Sequence, residues 1–240
     1  MSGHSKWANI KHRKGAQDAR RAKMFTKVGR EITVAAKEGG GDPEMNARLR
    51  AAIAAARAVN MPNDNIERAL KKGTGDAGGA SFEEVVYEGY GPGGVAIHVL
   101  ALTDNRNRTT PEIRYLFTRH GGDLASAGSV AWMFERKGYI EVPGSAITEE
   151  KLLDLVLDAG GDDLRAEEDR FEIYTSPAQF NAVREALERA GVPMNSAEIS
   201  MIPQNLVPVD SSKSETLVAL LEALDDHDDV QKVSANCELG

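Results

Sequence analysis

An α+β fold is predicted by three features of the 240-residue sequence. Apolar residues recur at helical intervals through the first 72 residues. A glycine-rich stretch, Gly73-Thr74-Gly75-Asp76-Ala77-Gly78-Gly79-Ala80, then interrupts them with nothing to bury and reads as a linker. Beyond it, strand-like and helical segments follow one another as strand, helix, strand, strand, helix, strand, and that order occurs twice. These features predict a basic arm and three-helix domain at residues 1–77 and a discontinuous α/β domain at 78–136 plus 204–240. A second α/β domain at 137–203 is inserted in the first, and both read as ferredoxin-like.

In the first helix, residues 17–38, Phe25, Val28, Ile32 and Ala35 share one face. Arg20, Lys23, Lys27, Arg30 and Lys37 share a second, nearly opposite face, which is expected to meet solvent or phosphate. Gly39-Gly40-Gly41 ends the helix. Asp42 as N-cap with Pro43 at the first helical position starts an alanine-rich helix at 46–59, anchored by Leu49 and Ile53. Asn60-Met61-Pro62-Asn63 breaks it, and a third helix runs to Lys72. Residues 85–90 and 95–102 are predicted strands joined at Gly91-Pro92-Gly93-Gly94. Thr109 and Glu112 form a capping box for a helix ending near His120, and Val130, Trp132 and Phe134 alternate as in a strand. The inserted unit takes strands at 139–142, 163–167, 171–174 and 197–201, with helices at 148–158 and 176–190. The outer unit joins 95–102, 112–120 and 130–134 to 206–209, 214–225 and 230–236.

Charge is distributed unevenly. The net charge is −8, yet residues 1–72 hold 16 Lys/Arg against 7 Asp/Glu, a net of +9, and the remaining 168 residues carry −17. A polyanion is drawn to one end of such a molecule and repelled by the other. Cys237 is the only cysteine, which excludes an intrachain disulfide and a cysteine-based zinc site. The N-terminus lacks a signal-peptide apolar run, and no stretch approaches the roughly 18 apolar residues of a membrane span, so a cytoplasmic protein without a membrane partner is expected.

The first thirty residues hold nine Lys/Arg against one acid, Asp18. Lys6, Lys11, Arg13 and Lys14, with His12, can neutralise phosphate and release counterions. Trp7 among them offers a face for an unpaired base. Arg20, Lys23, Lys27 and Arg30 continue the surface, and residues 1–14 are expected to order only on a polyanion. A solvated arm or localisation tag is the plain alternative. In Asp104-Asn105-Arg106-Asn107-Arg108-Thr109-Thr110, Arg106 and Arg108 can grip phosphate or RNA edges, or merely flank a capped helix start. Trp7 can also be an anchor packed on the helical bundle.

Signals of catalysis are few. Gly89-Tyr90-Gly91-Pro92-Gly93-Gly94 joins two strands and matches neither phosphate-binding glycine motif. His227 sits among Asp225, Asp226, Asp228 and Asp229, whose spacing is not that of a calcium loop, and a solvated turn is expected there. Ser126 and Ser129 lack a nucleophile elbow. No enzyme activity, cofactor, metal or small-molecule substrate is expected. An adaptor using the acidic α/β domains and a hydrolase built from converging Asp and His are the competing classes.

Gly3-His4-Ser5-Lys6-Trp7-Ala8-Asn9-Ile10-Lys11-His12-Arg13-Lys14 resembles the opening of the YebC family, which includes the mitochondrial translational activator of cytochrome c oxidase subunit I. Asn60-Met61-Pro62, the 87–94 and 103–109 runs, and Gly128-Ser129-Val130-Ala131-Trp132-Met133-Phe134 are similar to its other blocks, in the same order. Ala125 stands where the family usually has glycine. The resemblance implies one helical and two α/β domains and a cytoplasmic regulator of gene expression. Its members are labelled DNA-binding transcriptional regulators and are also tied to the ribosome at proline-rich stretches, so DNA and ribosomal RNA are both implied partners. No recognition helix set with base-reading side chains is evident, which favours structured RNA.

Overall fold

The structure is a computed structural model that describes residues 17–75 and 82–239, with side chains from residue 22. Three helices come first: α1 (Gln17–Gly39), α2 (Ala47–Ala58) and α3 (Asn63–Thr74). They enclose Ile32, Ala35, Leu49, Ala56, Met61 and Ile66. Alanine at the contacts lets the helices approach closely. Gly73 belongs to this packing and not to a linker: it lies inside α3, and a Cβ there would stand 2.4 Å from the Thr33 carbonyl oxygen of α1. The start of α2 also differs from the sequence expectation. Asn46, not Asp42, is the N-cap; its side chain accepts from the Leu49 N–H at 3.0 Å and donates to the Ala35 and Gly40 carbonyls. Asp42 instead closes a turn by accepting from the Glu44 N–H at 2.9 Å.

A hairpin follows, β1 (Glu83–Gly91) and β2 (Val95–Thr103), turned at Pro92–Gly94 where Gly93 and Gly94 have positive φ. Next come α4 (Arg106–Arg119) and β3 (Asp123–Leu124). The inserted unit is β4 (Phe134–Pro143), α5 (Glu149–Asp158), β5 (Asp163–Ala166), β6 (Arg170–Thr175), α6 (Phe180–Arg189) and β7 (Ser196–Pro203). Then β8 (Val207–Val209), α7 (Ser211–Asp225), β9 (Val230–Ala235) and β10 (Cys237–Leu239) complete the chain.

The inserted sheet has the order β5-β6-β4-β7 and is antiparallel throughout, the ferredoxin-like arrangement. Ile140, Val142, Leu152, Ile173, Val183 and Leu187 form its core. The other sheet has the order β3-β1-β2-β9, with β1 in a central position. Val85, Ile97 and Val99 on its strands meet Ile113 and Phe117 of α4 and Leu217 and Leu221 of α7. The fold is α+β, with a helical unit followed by two α/β units, as the sequence predicts.

Three expectations for the outer unit are corrected. Residues 130–134 are not a separate strand: Ala131–Met133 is a 3-10 turn, and β4 runs unbroken from Phe134. The short β3 stands beside β1 in its place, while β8 pairs with β10 in a sheet apart. The capping box of Thr109 and Glu112 does not form, because α4 begins one turn earlier with Asn105 accepting from the Arg108 N–H at 3.1 Å. Among the described residues no helix is long and apolar enough to cross a membrane.

Candidate nucleic-acid interface

The basic face of α1 is the first part of the predicted interface that the structure describes, and at Lys27 and Arg30 it is largely closed to solvent, while Lys37 is exposed. The face lies against residues 225–229, the turn after α7. Lys23 Nζ stands 3.0 Å from Asp226 Oδ1. Lys27 Nζ donates to the Asp225 main-chain carbonyl at 2.6 Å, at the C-terminal end of α7, where unsatisfied carbonyls favour a cation. Arg30 Nη1 reaches the Asp228 carbonyl at 2.6 Å and Asp229 Oδ1 at 2.5 Å. The expectation of an open face is therefore corrected for Lys27 and Arg30. Amphipathicity shows that a face is polar, but not what it faces.

Asp229 is the centre of this contact. Its side chain is 1% exposed, and Oδ2 accepts from Arg108 Nη2 at 2.7 Å and from the buried Thr109 hydroxyl. Burial pushes its carboxyl up, but the hydrogen bonds from Thr109, Arg108 and Arg30 outweigh that and hold it below the usual carboxylate range. The solvated turn read from sequence holds for the exposed Asp226 and Asp228 but not for Asp229. Its partners lie 199, 121 and 120 residues away, so no local pattern could have found it.

Glu112, His227 and Asp229 bring three potential ligand atoms within 4.8 Å of one another. The set does not suit a cation, since both Asp229 oxygens already accept from donors and two guanidinium groups stand beside it. His227 Nδ1 accepts from the Asp229 N–H, which assigns the proton to Nε2, facing Glu112 Oε2 at 3.0 Å.

Further contacts join the helical unit to the first sheet. Arg48 of α2 bonds Glu31 and Glu38 of α1 and, at 3.1 Å, Glu84 of β1. Val34, Phe82 and Leu102 form an apolar patch, and Arg30 and Lys72 lie 5.3 and 4.7 Å from the Phe82 ring centroid. Exposed Lys23 and Asp226 contribute little, whereas the buried Asp229 contacts dominate.

A second polar centre was missed in the sequence. Glu88 of β1 is 4% exposed and accepts from the N–H groups of Gly128, Val130 and Ala131 at 2.7, 2.7 and 2.8 Å. Burial opposes its charge, but these three donors outweigh burial and hold its carboxyl below the usual range. His98, opposite it on β2, is pushed down by burial, with the Glu88 charge acting against that shift. The tied loop leaves Trp132 68% exposed, its Nε1 donating to the Ser129 carbonyl.

Of the predicted site residues, Lys6, Trp7, Lys11, His12, Arg13 and Lys14 lie outside the described residues, as does the ordering expected of residues 1–14. Arg20 is described only in its backbone, within α1. Lys23, Lys27 and Arg30 meet the 225–229 turn, and Arg108 joins Arg30 at Asp229. Arg106 is exposed and has no carboxylate partner among the described residues.

The architecture is a helical unit joined at Asp229, Glu84 and Phe82 to the first of two α/β units, and comparison with known proteins identifies its class. The description "TACO1/YebC second and third domain" matches residues 82–237, and "TACO1/YebC protein N-terminal domain" matches residues 5–76. A "probable transcriptional regulatory protein" of Carboxydothermus hydrogenoformans is 57% identical, with 100% of this chain and 99% of that protein covered. One of the same description from Geobacter sulfurreducens is 56% identical over 100% of this chain and 96% of that protein. A crystal structure of a conserved hypothetical protein from Aquifex aeolicus superposes with a TM-score of 0.88 at 51% identity, covering 98% of this chain and 97% of that one. The chain belongs to the TACO1/YebC family.

Proposed function

We propose that the protein is a cytoplasmic regulator of gene expression that acts by binding nucleic acid, through its N-terminal arm, and works by binding rather than catalysis. The observation that carries this reading is the sequence charge of residues 1–21, set beside α1 cations that are paired within the chain. Lys23, Lys27, Arg30 and Arg48 are matched by carboxylates of the same chain. Residues 1–21 still hold six Lys/Arg, among them Lys6, Lys11, Arg13, Lys14 and Arg20, against Asp18 alone. That excess, with Trp7 inside it, suits phosphate and an unpaired base. Structured RNA, as in the ribosome, fits better than duplex DNA, because the sequence shows no evident recognition helix set with base-reading side chains. The relatives' printed names support regulation and favour DNA as a second reading.

Sedimentation with ribosomes, compared with DNA capture from the same lysate, separates the two targets. Association with ribosomes that salt removes is expected; capture by DNA alone would overturn the RNA reading. In the same assay Trp7→Ala is expected to weaken ribosome binding about tenfold at an unchanged melting temperature. A collapsed melting temperature with intact binding would assign Trp7 to packing instead.

A further inference from the structure

The outward face of α4 has no role in the contacts described above. Helix α4 carries four arginines and one acid in 14 residues, within the part of the chain whose net charge is −17. Ile113 and Phe117 turn one side of the helix into the core. At about 100° per residue, Arg114, Tyr115, Thr118 and Arg119 gather on the other side within an arc of about 140°. All four are exposed, Tyr115 to 58%. Arg114, like Arg106 a few turns earlier, has no carboxylate partner among the described residues. Glu112, the one acid of the helix, is engaged by His227 at 3.0 Å and by Arg108 at 3.9 Å. The face is therefore locally positive.

Arg119 and Tyr115 form a joint surface. The guanidinium carbon lies 5.9 Å from the ring centroid, and Nη1 donates to the Tyr115 hydroxyl at 3.3 Å. This holds the ring and keeps a cation at its edge. The exposed ring stands between Arg114 and Arg119, about 7.5 Å apart along the axis. A hydrophobic protein partner would be poorly served by two cations that no carboxylate matches among the described residues. A duplex would offer phosphates but no unpaired base for the ring. An unpaired strand offers both.

We propose that this face of α4 is a second contact for single-stranded RNA, with Tyr115 stacking on a base and Arg114 and Arg119 holding the flanking phosphates. The inference rests on the nucleic-acid reading above and adds a site on the acidic part of the chain, away from the arm.

The test uses the full chain and a labelled single-stranded RNA of about twelve nucleotides, with duplex DNA of equal length beside it. Tyr115→Ala is expected to weaken RNA binding about tenfold, while Tyr115→Phe, which keeps the ring, retains it. The pair Arg114→Glu and Arg119→Glu should also weaken it and lower the salt slope by about two. Melting temperatures should stay at the wild-type value, since the changed side chains are exposed. Wild-type RNA affinity in both variants would overturn the inference while leaving the arm's role intact. Equal losses on RNA and duplex DNA would remove the stacking role and overturn it as well. Failure of the unmodified protein to bind the RNA would overturn this inference and the reading beneath it together.

Discussion

Asp229→Ala should lower stability by about 3 kcal/mol, which for a chain of this size is a fall in melting temperature of about 6–12 °C. The carboxylate is 1% exposed and serves Arg30, Arg108 and Thr109 at once. Removing it takes the carboxylate from two guanidinium groups and a buried hydroxyl, which keep the Asp228 carbonyl, Asp104 and the Asn105 carbonyl among their other acceptors. The range for breaking a buried pair is about 3–5 kcal/mol, and the lower end applies because Arg108 is 44% exposed and can turn to water. Asp229→Asn keeps the volume and part of the hydrogen bonding and should lose less. Its sign with pH is defined. The folded carboxyl is held below its unfolded value of about 3.9, so the stabilisation is full above about pH 4 and is lost as pH falls through the folded value. The asparagine variant should therefore show a flatter acid limb in a melting-temperature profile; a limb as steep as the wild type's would remove Asp229 from the account. The helical unit should also loosen in Asp229→Ala, seen as faster amide exchange at the contact of α1.

Glu88→Ala is expected to cost about 3–5 kcal/mol. Three N–H groups, of Gly128, Val130 and Ala131, lose their acceptor in a site that is 4% exposed. No helix or strand supplies a replacement for them. The loss should be local before it is global: those three amides should exchange much faster than the β1–β2 hairpin. Trp132 emission, read in a Trp7→Phe background, should change as the turn loosens. Glu88→Gln leaves one carbonyl oxygen for three donors and should fall between. Unchanged protection at the three amides would show that the loop holds itself.

These two acids mark the limit of what local pattern can reveal. The helical unit was legible because Ile32 and Ala35 recur at helical spacing, and the inserted unit because its strands and helices alternate cleanly. The ends of elements were less so: Asn46 and Asn105 cap where Asp42 and Thr109 were expected, since several residues of suitable type stood within one turn of each other. Residues 130–134 alternate like a strand, but the alternation comes from a turn drawn in by Glu88, some 40 residues earlier. The basic face of α1 was legible as a face. Its destination, an acidic turn 198 residues away for Lys27, was not. The exposed Tyr115 and Trp132 were also invisible in sequence, because aromatic residues at helical or strand spacing usually pack.

The division of labour between the arm and α1 is tested most directly by the salt dependence of ribosome binding in two variants. One carries Lys11→Glu, Arg13→Glu and Lys14→Glu; the other carries Lys23→Glu and Lys27→Glu, leaving Arg30 and Asp229 in place. If the arm meets phosphate, the first variant should bind more weakly, with the slope of log affinity against log salt reduced by about two to three. The second should keep the wild-type slope and lose only a little stability, from repulsion by Asp225 and Asp226. A flattened slope in the second variant, with the first unchanged, would contradict the account and return the phosphate site to α1.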